Sequence, residues 1–389
     1  MLIFAACLAI FVYGMVASML GTINPGLAEK FQLQNEQTGY VALAQGIGLI
    51  IASVSVGPLI DKRGKKIGLL LGLALVAVSF FALANASGYG MILLAMLVLG
   101  FGGGVVLTGA NALGSDVSET KRAMVLNFLN VFVGLGGLLT PFVAGNLLAG
   151  DAIRVAYGAA AITAVTFVVH LFLKIPPPPI STGQEGASSE VFRRPILYVL
   201  ALITMLYTAC EFGIWNWLVK YLMSQGLAQS TALNILSLGF ALGLLLGRVA
   251  VAPILIKIRP LTVVMGSAML MALSTFAILH VSDPTMAALT VFCAGVAMAP
   301  VFPTTVSIVG DLFRSGTATA IGFTITCGFT GLALSSPLIG GIAGTDPEGL
   351  QTALMVLPIC SLVIVGLTIG LRAKLSADPH TKNEEAPAT

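Results

Sequence analysis

The sequence predicts an all-α integral membrane protein of twelve transmembrane helices in two six-helix bundles. Three observations carry this. Of 389 residues, 57% are hydrophobic and only 9% charged, against about 25% charged in a soluble domain. The apolar residues fall into stretches long enough to cross a bilayer core, which takes roughly 20 residues of helix. One polar, proline-rich segment interrupts the pattern near mid-chain.

The apolar stretches lie near residues 2–26, 35–60, 67–86, 90–114, 122–148, 153–174, 195–222, 229–256, 260–281, 284–309, 315–343 and 350–372. In hydrocarbon each backbone N–H and C=O must find its partner within the protein, so each stretch reads as a helix. The first begins at Leu2 without a basic n-region or a small-residue cleavage site. It is expected to be a retained helix rather than a signal peptide. Residues 175–194 read IPPPPISTGQEGASSEVFRR. Four prolines followed by Gly, Ser and charges cannot continue a helix through lipid. The expected division is therefore an N-terminal bundle over 1–174, a cytoplasmic linker over 175–194, a C-terminal bundle over 195–372 and a polar, disordered tail over 373–389.

Basic residues set the expected orientation. With the N-terminus inside, fifteen of the nineteen Lys and Arg residues fall on the cytoplasmic side and only Lys30 and Arg154 on the other. Lys220 and Arg248 fall inside helices 7 and 8. Both termini are expected to be cytoplasmic, in a bacterial-type inner membrane. A monomer suffices for such an architecture. The net charge of +3 resides in short loops, so no nucleic-acid surface is implied. Cys7, Cys210, Cys293, Cys327 and Cys360 are scattered through apolar stretches and read as packing residues, with no metal site. Gly100-Phe101-Gly102-Gly103-Gly104 superficially resembles a nucleotide loop. It lies inside an apolar helix with no preceding strand, so close helix packing is expected instead. The three histidines form no paired motif. No enzyme activity and no cofactor are expected.

Between helices 2 and 3 stands Gly57-Pro58-Leu59-Ile60-Asp61-Lys62-Arg63-Gly64-Lys65-Lys66. It resembles the G-x-x-x-D-R-x-G-R-[RK] loop signature of the major facilitator superfamily. Gly57 is expected to let helix 2 approach a neighbour closely. Asp61 stands at a helix end, where it can pair with the basic loop or a helix N-terminus. A turn through Gly64 keeps the loop short. The resemblance implies a secondary transporter with the major facilitator fold, in which Asp61 and Arg63 act as a conformational lock.

Within that superfamily the chain resembles the sugar–cation symporter branch that includes the fucose–proton symporters. The matching pieces are Gly102 to Asn111 in helix 4, Leu126 to Gly136 in helix 5, Tyr207 to Leu218 in helix 7 and Pro300 to Thr304 in helix 10. The fucose symporters carry acids in helices 1 and 4, where this chain has Gly21 and Leu107. Asn111 and Asn130 are retained. The resemblance implies cation-coupled uptake of a sugar or similar small polar solute, with the exact sugar and the choice of H⁺ or Na⁺ left open.

Polar side chains at mid-membrane are expensive, which makes them the first functional candidates. Glu211 is the one carboxylate near the middle of any expected helix. It is the candidate for cation coupling, because a titratable group there can take up and release a proton. Tyr207 lies one turn before it and Trp215 one turn after, so all three can line one face. Asn127 and Asn130 share a face of helix 5, with Asn111 on helix 4. Amides both donate and accept, which suits sugar hydroxyls. They equally suit hydrogen bonds between helices. Gln45 in helix 2 joins the substrate candidates. Asn24-Pro25, Pro300 and Pro303 mark expected kinks or breaks. Thr319, Thr326 and Thr330 form a stripe on helix 11.

Proton-driven efflux of a drug or metabolite is the alternative. Gly136 to Gly145 resembles, in degraded form, the helix-5 Gly-Pro motif of superfamily antiporters. Helix 4, however, holds no Arg or Lys, which those antiporters use. A non-transporting receptor would need a folded output domain, which the linker and tail do not offer.

Overall fold

A computed structural model describes residues 2–115, 122–175, 191–281, 283–313, 316–345 and 349–377. All regular structure among these residues is helical, and twelve helices are long and apolar enough to cross a membrane. They are α1 (Leu2–Phe31), α2 (Asn35–Arg63), α3 (Lys65–Ala84), α4 (Tyr89–Ser115), α5 (Arg122–Asn146) and α6 (Ala152–Phe172). Beyond residue 191 come α7 (Pro195–Ser224), α8 (Gln229–Lys257), α9 (Pro260–Ile278), α10 (Pro284–Leu312), α11 (Thr317–Ala343) and α12 (Gly349–Leu354 continuing as Val356–Ala377).

The connections are set by local chemistry. Gly64 adopts φ 91°, which a side chain would resist, and reverses the chain between α2 and α3 in one residue. This is the short turn expected there. The Asp151 carboxylate accepts from the amides of Ile153 and Arg154 and caps α6. Asp283 does the same for α10 through Thr285 and Met286.

Several boundaries and bends differ from expectation. The first helix runs on to Phe31, and Pro25 sits inside it without breaking it. The expected break in α10 is present, between Met298 and Val301, at Pro300. An unforeseen π-helical segment, Ile235–Ala241, lies within α8. It shifts the register of side chains on either side of it. Gly57 does not serve the close approach expected of it: a Cβ there would meet nothing within 4 Å.

Close packing is built from other glycines. A Cβ on Gly100 of α4 would collide with the Gln45 carbonyl oxygen of α2, and one on Gly104 would lie 2.5 Å from Ala52 Cβ. The glycine run in α4 is thus a packing surface against α1, α2 and α3. Within the first half α4 also packs on α1, and α6 on α3. Within the second, α7 packs on α11 and α12, α8 on α10, and α9 on α12. Three seams join the halves: α1 with α7, α2 with α11, and α5 with α8.

Candidate functional site

The three seams are tightest toward the end of the bundle remote from the N-terminus. A Cβ on Gly21 of α1 would collide with the Trp215 carbonyl oxygen of α7, so the two backbones touch. One step outward, Asn24 donates to the Asn216 carbonyl at 3.3 Å, and the Asn216 amide donates to Ser336 Oγ at 2.9 Å. On the second seam Asn35 donates to the Gly344 carbonyl at 2.8 Å. On the third, Asn146 and Asn234 exchange amide hydrogen bonds at 2.6 and 3.2 Å. Ser237 donates to the Leu138 carbonyl of α5 at 2.8 Å. This end is closed.

Moving from that closure toward the termini, the next layer holds charge. Glu211 of α7 lies one turn from Trp215, and its Oε1 stands 4.0 Å from Nη2 of Arg248 on α8. The glutamate side chain is 12% exposed and the arginine 25%. Tyr207, one turn further along α7, is fully buried against Phe302 of α10, with ring centroids 6.3 Å apart. Its hydroxyl makes no hydrogen bond of normal geometry among the described residues, although Glu211 and Arg248 both act on it electrostatically. Tyr13 of α1, in the other half of the molecule, lies within electrostatic range of the same two charges. The layer thus joins α1, α7, α8 and α10.

Trp215 roofs this layer. It is 5% exposed and packs edge-on against Phe240 of the π-helical segment at 5.2 Å. Its ring also reaches Gly137 of α5, where a Cβ would lie 3.3 Å away. Gly134, one turn nearer the termini on α5, abuts Leu245 of α8. Asn130 is one further turn on the same face and is exposed, its amide donating to the Leu126 carbonyl at 3.1 Å. Arg248 is likewise one turn beyond Leu245 on the opposing helix. Helical periodicity therefore places Asn130 and Arg248 on facing stripes at a similar depth.

The remaining expected residues are spread more widely. Asn111 is half-buried on α4. Gln45 is buried, and its amide nitrogen donates to the Val16 carbonyl at 3.0 Å, joining α2 to α1. Arg63 is exposed at the end of α2. The side chains of Asp61 and Asn127 lie outside the described residues. On α11, Thr326 Oγ1 stands 3.4 Å from Ser53 Oγ of α2, across the second seam. Trp217 is fully buried with its indole N–H unpartnered among the described residues. His170 is fixed between the Thr166 and Ala5 carbonyls at 2.8 and 3.1 Å.

Sequence reasoning missed Arg248 and Tyr13. For Arg248 the sequence does hold a signal: a guanidinium inside an apolar span needs a partner. Tyr13 has no such signal, because a tyrosine in an apolar helix reads as core until its neighbours are known.

A twelve-helix membrane bundle with a charged pair between the seams of its halves, closed beyond it, has the architecture of a transmembrane solute carrier. The chain belongs to the Major Facilitator Superfamily, whose model matches residues 6–336. It is a transporter and not an enzyme. The 3-(3-hydroxy-phenyl)propionate transporter of Escherichia coli K12 is 26% identical over 355 residues, which span 87% of this chain and 86% of that one. Among solved structures, a point mutant of the nucleoside transporter NupG superposes with a TM-score of 0.81 at 18% identity, covering 95% of this chain and 100% of NupG. A point mutant of the E. coli fucose:proton symporter FucP superposes with a TM-score of 0.65 at 18% identity, covering 95% and 98%. At such identities the structural likenesses establish the fold alone.

Proposed function

We propose that the chain is a proton-coupled carrier that takes up a small polar solute by alternating access, with the solute held between the halves at the Glu211 layer. The observation that carries this reading is the position of Glu211. It is a membrane-embedded carboxylate at the inter-half junction, one turn inside the closed seam between Gly21 and Trp215. Its neighbours are Tyr207 on its own helix and Arg248 on α8, with Tyr13 of α1 within electrostatic range. A carboxylate there changes charge when it binds a proton, and the cost of enclosing the layer changes with it. Solute binding and proton binding are thereby linked to one conformational equilibrium.

Residues 1–174 and 195–372 are the two units that rock against each other. The bias of basic residues among the loops supports cytoplasmic termini. The conformation described here, closed at the far end, is then inward-facing. In the opposite state Asp61 and Arg63 tie the cytoplasmic ends together. Asn130, exposed on the α5 face, is the amide best placed to meet a solute, with Asn111 and Asn127 as further candidates. A sugar is the solute implied by the resemblance to the fucose symporters. The relative named for 3-(3-hydroxyphenyl)propionate supports a wider class of small polar solutes.

The test is transport in proteoliposomes under an imposed pH gradient, with wild type beside Glu211→Gln. The amide keeps shape and hydrogen bonding but cannot titrate. Solute exchange should persist in the variant while pH-driven accumulation disappears. Accumulation that persists in Glu211→Gln, or that follows sodium and ignores pH, would remove Glu211 from proton coupling.

A further inference from the structure

Arg248 has more hydrogen-bonding capacity than its surroundings use. A guanidinium presents five N–H donors in a planar fork. Among the described residues Arg248 makes one charged contact, the 4.0 Å approach to Glu211, and no hydrogen bond. At that separation the pair is an electrostatic association and not the roughly 2.7–2.9 Å contact of a hydrogen-bonded ion pair. The side chain is 25% exposed, twice the figure for Glu211. Leaving donors unsatisfied inside a membrane protein is costly. A neutral polyol needs only amides and hydroxyls, and gives no reason to maintain a cation within a membrane span.

We infer that Arg248 is the anion-binding residue of the site and that the transported solute carries a carboxylate. This inference rests on the proton-coupled reading of the same site. The entering carboxylate lies in the plane of the guanidinium and takes two parallel N–H···O bonds, replacing the loose contact with Glu211. Glu211, deprived of its cation, takes one proton from the aqueous side to which the site is open. The occupied site then holds one cation, one solute anion and one neutral acid. Release on the other side reverses both steps: the solute leaves as an anion, Glu211 gives up its proton and the pair re-forms. One anion and one proton cross together, so the cycle moves no net charge.

The experiment asks whether Arg248 accepts a carboxylate that Glu211 no longer supplies. Wild type, Glu211→Ala and the double variant Glu211→Ala/Arg248→Gln are purified in detergent. Their thermal midpoints are measured in sodium formate or acetate, in acetamide, in sodium phosphate and in sodium chloride at matched ionic strength. Glu211→Gln replaces the alanine variant if the latter does not purify. Formate and acetate should raise the midpoint of the single variant by several degrees, acetamide and chloride should not, and the double variant should be indifferent. Equal effects of acetate and acetamide, an unchanged response in the double variant, or a larger response to phosphate than to acetate would each overturn the inference. The two readings fail separately. Carboxylate-specific stabilisation without pH-driven uptake would leave the anion site and remove the coupling. Loss of pH-driven uptake in Glu211→Gln without carboxylate-specific stabilisation would do the reverse.

Discussion

Gly21 of α1 and Trp215 of α7 meet backbone to backbone: a Cβ on Gly21 would collide with the Trp215 carbonyl oxygen. The closed seam therefore requires a residue without a side chain at that position. The contact also explains why a helix-1 acid cannot stand at position 21 in this conformation. On the proton-coupled reading the titrating carboxylate stands elsewhere, and Glu211 lies one turn from this contact.

Gly21→Ala should fold but resist closure of this end. The obstacle is backbone, which cannot rotate away. A steric cost of about 1.4 kcal/mol already shifts a two-state equilibrium tenfold, so transport should fall by at least that factor. A cysteine at position 24 reports the shift, since Asn24 is 2% exposed here. Its labelling by an impermeant maleimide should rise in the alanine background. Unaltered labelling would mean that the seam adjusts around the methyl.

Gly100→Val gives the contrasting result. A Cβ at Gly100 would collide with the Gln45 carbonyl, between two helices of the first half. Overpacking typically costs about 1–3 kcal/mol. The expected outcome is a lower thermal midpoint and poorer expression, with the remaining folded protein keeping its pH response. Wild-type stability would show that α2 and α4 can part without penalty.

Asn130→Ala should weaken solute affinity while leaving expression and thermal stability intact. The side chain is exposed, and its amide donates within its own helix, to Leu126. Loss of one hydrogen bond to a bound solute costs about 1–3 kcal/mol, read as a matching rise in the half-saturating concentration. A variant that fails to insert or purify would make Asn130 a helix–helix contact.

Asp61→Asn should favour the conformation described here over its opposite. The lock proposed for Asp61 and Arg63 would operate in the other state, so weakening it should shift the population by about 1–3 kcal/mol toward closure of the Gly21–Trp215 seam. Cysteine accessibility measured at both ends should change in opposite directions. Identical accessibility at both ends would exclude the lock.

The sequence by itself determined the number of helices, their approximate limits and the family, because each depends on composition over about twenty residues or on one contiguous loop. It also singled out Glu211, since a carboxylate in an apolar span is anomalous wherever the span packs. The tertiary structure decided what Glu211 meets. Arg248 lies on the next helix, with a π-helical segment in between that resets the register. Tyr13, in the other half of the molecule, comes within electrostatic range of both. The structure likewise assigned the glycines. Gly57, within the loop signature, has open space around it, whereas Gly21 and Gly100, unremarkable in isolation, carry the closest backbone contacts. Helical periodicity gives the face on which a residue lies, but not the helix that covers that face. That is set by how the twelve hydrophobic surfaces pack against one another.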